Sequence, residues 1–290
     1  MTTIQKYDFK EGLPQEFEIL DMGKLFDNRS EEMVSPHRLD FYQILWFKQG
    51  TSTHLVDFNT VDIQPNTLLF VNKNSVQSFH NPSDLLCSSL LFTDSFFCKT
   101  DADTRYLKSN ILFNDLLSIP KIQLTSSNSA IASLFSEMEL ELSKPKDNYQ
   151  SDLLRNYLKN FLLLCERERR NQDFTPVKQD EDLDYVMQFR DMLNDQFKTE
   201  KLVSHYADLI SITVKRLNKA TSKVQGKTPK KLIDSRIMLE AKRLLAHTSD
   251  NVKQIGFELG FDEPTNFVKY FKKHLSSTPI EFREQFTRRD

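Results

Sequence analysis

Glycine is scarce in this chain, with 6 among 290 residues, against about 7% in an average protein. That argues against folds built on glycine-rich phosphate loops. Gly226-Lys227-Thr228 has the ending of such a loop, but Thr221 stands where a glycine is required and no strand precedes it. Cysteine is scarce too. Cys87, Cys98 and Cys165 form no CxxC pair and leave one over, which excludes a zinc ribbon or disulfide framework and fits reduced thiols in the cytoplasm. Long apolar runs are missing: the longest, Phe161 to Cys165, falls far short of the ~18–20 residues that cross a bilayer. The opening MTTIQKYDFKEG offers no apolar core for a secretion signal, so the triplet Asn28-Arg29-Ser30 reads as a chance glycosylation match. Neither HExxH nor Gly-x-Ser-x-Gly occurs.

Phenylalanine is plentiful at 23, enough for two packed cores, and the length suits two domains at ~150 residues each. The formal net charge of −2 hides a division. Residues 198–290 hold 19 Lys and Arg against 11 Asp and Glu, a surplus of +8, while residues 1–197 hold 20 against 30, a deficit of −10. Only the basic back is suited to meet a polyanion.

Residues 38–100 read as β. FYQILWFKQG (41–50), THLVDFNTVDI (53–63), TLLFVN (67–72), VQSFH (76–80) and LLCSSLLF (85–92) are short apolar or alternating runs. The turns between them, Gln64-Pro65-Asn66 and Asn81-Pro82 among them, predict an antiparallel barrel or sandwich. From 126 the period becomes helical. Ile131, Leu134, Phe135, Met138 and Leu142 form one stripe. A second helix over 148–170 carries Leu153, Leu154, Tyr157, Leu158, Phe161, Leu162 and Cys165, a face wide enough to serve a homodimer as well as its own domain. Residues 171–181, polar and Pro-containing, read as linker. The division predicted is 1–172, a linker at 173–184, and an all-α domain over 185–290.

That last domain repeats itself. Tyr206-Ala207 matches Ile255-Gly256, Ile210 matches Leu259 and Ile212 matches Phe261; after one inserted residue Leu217 matches Phe267, Gly226 matches Ser276 and Thr228-Pro229 matches Thr278-Pro279. Each copy, at about 202–223 and 252–274, has the shape of a helix-turn-helix. In the second, Gly260 supplies the left-handed turn residue, Asp262 the N-cap and Pro264 the first turn of the next helix. In the first, Ser211 takes the turn and Thr213 the cap. Leu217 and then Phe267, Tyr270 and Phe271 should point inward.

The stretch IGFELGFDEPTNFVKYFKKHLSSTPIEFR (255–283), preceded by GKTPKKLIDSRIMLEAKRLLAHTSDNVKQI (226–255), resembles the signature of the AraC/XylS-type transcription regulators. The resemblance covers roughly 185–288 and implies two helix-turn-helix units joined by a long helix (about 229–246), each placing a recognition helix in the major groove. Carried over by position, base-edge contacts fall to Lys215, Arg216, Asn218 and Lys219, then Pro264, Thr265, Asn266, Val268 and Lys269, with Lys272 on phosphate. Lys and Arg can bond guanine and Asn the adenine edge, whereas Pro264 offers apolar contact alone. Three positions depart from the family pattern: Ser276 for glycine, Gly256 for alanine, and Pro264.

Residues 20–100, through SPHRLDFYQILWFKQG and the strand rhythm, are similar to the cupin-like sensor domain of such regulators. That implies a small-molecule effector in the barrel, dimerising helices behind it, and activation through RNA polymerase. The family's sensing residues would be sought among His37, Tyr42, Trp46, His54 and His80. No metal or other cofactor is implied: the cupin His-x-His pair is broken, since Leu39 follows His37 at the second place. The chain is therefore read as a regulator and not an enzyme, with two alternatives: a regulator whose barrel only dimerises, and a cupin enzyme with a helical appendage.

Overall fold

A computed structural model describes residues 4–9, 13, 15–80, 85–113, 119–125, 128–172 and 181–287. The chain divides into two compact units, the first spanning Gln5–Pro176 and the second built on Val177–Asp290. The Asn81-Pro82 turn and most of the expected linker, residues 173–180, lie outside the described residues.

The first unit runs β1 (Gln5–Tyr7), β2 (Phe17–Asp21), α1 (Met22–Val34), β3 (His37–Leu39), β4 (Tyr42–Gln49), β5 (Ser52–Val56), β6 (Asn59–Ile63), β7 (Thr67–Val71), β8 (Val76–His80) and β9 (Leu86–Phe92). Then come α2 (Asp94–Phe97), α3 (Asp101–Ser109), β10 (Lys121–Gln123), α4 (Ser129–Ser143) and α5 (Gln150–Asn171). The strands form two five-stranded sheets, in the orders β1-β3-β8-β5-β6 and β10-β7-β4-β9-β2. All the pairings are antiparallel except β1 with β3.

The alternating run 53–63 is two strands, not one. Asp57 adopts φ 54 and turns the chain back as a hairpin. Its backbone N–H reaches the Val76 carbonyl at 2.6 Å while its carboxylate accepts from the Val76 N–H at 3.2 Å, which ties the turn to β8. Asn66 (φ 62) closes the expected turn at 64–66.

Strand β4 lies in the middle of its sheet, between β7 and β9, and is buried on both faces, which is why it reads as a nearly unbroken apolar run. Leu45 and Phe47 point between the sheets, meeting Val56, Ile63 and Phe79 of the other sheet and Met22 and Phe26 of α1. Tyr42, Ile44 and Trp46 point the other way, into a core shared with α2, α3, α4 and α5. Leu153, on the wide apolar face expected of α5, is 39% exposed.

The second unit is all helix: α6 (Glu181–Gln196), α7 (Val203–Leu209), α8 (Val214–Gln225), α9 (Pro229–His247), α10 (Val252–Glu258), α11 (Pro264–Leu275) and α12 (Pro279–Thr287). A β-rich front and an all-α back with one long connecting helix are what the sequence predicted. No described helix is long and apolar enough to cross a membrane.

Candidate nucleic-acid interface

The repeat seen in the sequence is a repeat of hydrogen bonds. In the first copy the Ile212 N–H donates to the Ala207 carbonyl at 3.0 Å; in the second the Phe261 N–H donates to the Gly256 carbonyl at 3.0 Å. Ser211 (φ 60) and Gly260 (φ 71) hold the two left-handed turns. Ala207 and Gly256 are small because the second helix crosses there: a Cβ on Gly256 would lie 3.2 Å from the Phe267 Cβ.

Thr213 caps α8 by accepting the Arg216 N–H at 3.1 Å. The cap expected at Asp262 falls one residue later: Glu263 is the N-cap of α11, without a side-chain bond, and Pro264 starts the helix where its missing N–H costs nothing. Ser276 ends α11 at φ 58, in the conformation Gly226 (φ 64) adopts at the end of α8.

Leu217, Phe267 and Phe271 are fully buried, as predicted. Tyr270 is half-buried, its hydroxyl donating to the Asp234 carboxylate of α9 at 2.7 Å. Outward on α11 stand Thr265, Asn266, Lys269 and Lys272, with Pro264 and Val268 half-buried beside them. On α8, Lys215 and Lys219 are exposed. Asn218 turns its amide back onto the Val214 carbonyl at 2.9 Å.

Arg216 is half-buried and turned toward α6. Its guanidinium is bonded to the Asp182 carboxylate in the first turn of α6, lies 3.6 Å from Glu181 and sits over the Tyr185 ring. Lys223, two turns along the same side of α8, bonds the other Asp182 oxygen at 2.7 Å. The bonds from Lys223 and Arg216 hold the Asp182 carboxyl down at about 2. The sequence reading missed Asp182 because its partners lie more than thirty residues away; three acids in the first turn of α6 were the available signal.

The two helix-turn-helix units are also joined directly. Lys201 donates to the Gly260 carbonyl at 2.5 Å and Lys198 pairs with Glu258 at 2.7 Å.

In the first unit, the five residues considered for sensing separate. Tyr42 and Trp46 face the helical layer and His80 is exposed. His37 is buried, its Nδ1 3.0 Å from the Ser35 carbonyl. His54 alone joins a polar row across the interior: Gln43 donates to the Ser89 hydroxyl at 2.8 Å, Gln77 donates to Gln43 at 2.5 Å, and His54 Nε2 bonds the Gln77 carbonyl oxygen at 2.9 Å. All four side chains are buried. The His54 Nδ1 has no hydrogen-bond partner, and burial pushes the ring down to about 4, so it is neutral. Among the described residues no three His, Cys, Asp or Glu gather as a metal-binding group.

Two repeated helix-turn-helix units behind a two-sheet β domain define a DNA-binding regulator of the double helix-turn-helix class. Residues 206–285 match the family described as a helix-turn-helix domain, and residues 25–158 match the AraC-like ligand binding domain. The chain belongs to the AraC-type transcription regulators, which are DNA-binding proteins and not enzymes. It is 23% identical over 255 residues to the HTH-type transcriptional activator RhaS of Enterobacter sp. (strain 638), covering 86% of this chain and 87% of that protein. With the RhaS activator of Yersinia pestis it is 21% identical over 296 residues, covering 98% and 100%. Among solved structures, ToxT from Vibrio cholerae aligns with a TM-score of 0.43 and 17% identity, over 93% of this chain and 94% of that one.

Proposed function

We propose that the protein activates transcription in the cytoplasm by reading two successive major-groove faces with α8 and α11. The observation that carries this is the repeated turn geometry, which sets an exposed, lysine-bearing face on each second helix. Lys215 and Lys219 on α8, and Thr265, Asn266 and Lys269 on α11, reach base edges, with Pro264 and Val268 making apolar contacts and Lys272 meeting phosphate. Asn218 reads a base once its amide leaves the Val214 carbonyl. Two helices that read successive major-groove faces meet patches about 34 Å apart, one turn of DNA. Selection of random duplexes by the purified protein tests this: two conserved patches one turn apart are expected, and enrichment of a single patch overturns the two-reader proposal.

The protein acts as a homodimer through α5. Tyr149, Leu153, Asn156, Asn160, Leu163 and Arg167 form an exposed stripe at alternating spacings of four and three, the period of a coiled-coil seam. The stripe is palindromic about position 158. An antiparallel second copy sets Leu153 on the partner's Leu163, Asn156 beside the partner's Asn160 and Tyr149 beneath the partner's Arg167.

The barrel senses a small neutral effector through the row Ser89, Gln43, Gln77 and His54, and the bound state favours engagement of RNA polymerase. Such a ligand shifts the protein only by its difference in affinity for two states. A thermal-shift screen of neutral metabolites tests it. Absence of any shift favours a barrel that only dimerises, a reading supported by the bonds that already link these four side chains to one another.

A further inference from the structure

The two recognition helices are not electrostatic equals. On α11, Lys269 and Lys272 stand exposed and make no ion pair among the described residues, as do Lys215 and Lys219 on α8. The other two cations of α8 are held. Arg216 and Lys223 lie seven residues apart on the flank facing α6, and both bond one carboxylate, that of Asp182. The Asp182 side chain is 8% exposed, whereas those of Arg216 and Lys223 are 30% and 50% exposed. The anion is covered by the cations that satisfy it, and their outer edges remain within reach of solvent.

A carboxylate that takes one guanidinium and one ammonium uses the same donors as a DNA phosphate would. It sits beside the helix proposed above to enter the groove, and this inference rests on that reading. We propose that Asp182 is an internal competitor of DNA phosphate, a positioning residue that holds Arg216 and Lys223 away from the polyanion and so lowers the sequence-independent affinity of the first helix-turn-helix. Leaving Asp182 buried without its partners is costly, so the two cations stay on α6 when DNA arrives. The nearest counterpart among the described residues of the second unit holds no lysine or arginine of α11: Asp234 of α9 bonds the neutral Tyr270 hydroxyl and Lys230 of its own helix, and lies 3.8 Å from the His274 ring. Binding by the first unit thereby leans on base contacts from Lys215, Asn218 and Lys219 more than on charge. A protein that must leave wrong sites quickly gains from that balance, because non-specific affinity is the electrostatic part.

The test is a salt titration of the full-length protein on a short random-sequence duplex, read by fluorescence anisotropy. Each phosphate neutralised adds ~0.9 to the slope of log affinity against log salt. Asp182→Asn releases Lys223 and leaves Arg216 only its 3.6 Å pairing with the Glu181 carboxylate, so the slope should steepen by about 0.9–1.8. Its gain over wild type should then grow about 3.5- to 12-fold between about 0.2 M and 0.05 M salt. Asp184→Asn, an exposed carboxylate in the same turn, changes the net charge equally and should leave the slope unchanged. Lys223→Gln in the wild-type background should also leave it unchanged; this variant decides the matter if Asp182→Asn does not fold. On a random-sequence duplex Lys219 has no cognate base edge and its charge falls to phosphate, so Lys219→Gln should lower the slope by about 0.9. If Lys219→Gln has its effect while Asp182→Asn leaves the slope as in wild type, or Lys223→Gln already lowers it, the competitor role is overturned. If Lys219→Gln is silent too, α8 does not face DNA, and the proposed interface falls with the inference.

Discussion

Replacing Gly260 by alanine tests the geometry that joins the two helix-turn-helix units. Gly260 sits at φ 71, and a Cβ built there lies 1.7 Å from the Lys198 carbonyl oxygen. The left-handed conformation alone costs an alanine about 1–2 kcal/mol. The obstacle is backbone, so no rotamer change relieves it. The turn must move away from residues 198–201, at about 1–3 kcal/mol for a forced backbone shift. That movement also weakens the Lys201 bond to the Gly260 carbonyl, worth about 1 kcal/mol. Together these put the loss at about 3–6 kcal/mol. For a unit of this size that lowers the melting temperature by about 12–24 °C. Gly226→Ala is the matched control, because its φ is 64 and nothing lies within 4 Å of the added carbon; it should cost only the conformational part. Calorimetry of both full-length variants, following the helical unit's transition, makes the comparison. Equal losses would refute the reasoning, since they would mean that Gly260 does not press on Lys198 in solution.

Ser276→Gly relieves the left-handed strain at the end of α11 and should raise stability by about 0.5–1 kcal/mol in urea denaturation; no gain would mean that the serine is not strained there. Phe267→Ala removes a fully buried ring and should cost about 3–5 kcal/mol, and unchanged melting would mean that the face of α11 is assigned backwards. His54 titrates in the unfolded chain near 6.5 but only at about 4 when folded. As pH falls through that window the unfolded state takes up the proton first, so stability is present above pH 6.5 and declines towards pH 4. Between pH 7.5 and 5 the loss from this group is about 2 kcal/mol, and His54→Gln should remove that portion of the acid sensitivity of the β unit in denaturation curves. Lys at both Leu153 and Leu163 should turn the proposed dimer into monomer in sedimentation velocity while leaving the thermal transition of the β unit in place; a dimer that persists moves the interface off α5.

The sequence alone determined the helix-turn-helix half in detail. Its evidence is local: caps such as Thr213, turn residues such as Ser211 and Gly260, and 3.6-residue spacing act within a few residues of one another, and the repeat states each signal twice. Even there the start of α11 slipped by one residue, from Asp262 to Glu263, because cap geometry and not residue type decides the boundary. In the front half the strand rhythm located β4 to β9, yet the turn at Asp57 was read through and β1, β3 and β10, each three residues long, left no pattern to find. Tertiary structure decided which face of β4 meets which core. Alternation separates Tyr42 and Trp46 from Gln43, but both sets are buried, so only the packing of sheet and helices places Gln43 in the interior row, Trp46 beneath α4 and Tyr42 beside Asp94 of α2. It also decided the fate of Arg216. Residue type and position in α8 marked it for DNA, while a carboxylate 34 positions earlier in the chain, brought alongside by the packing of α6, holds its charge.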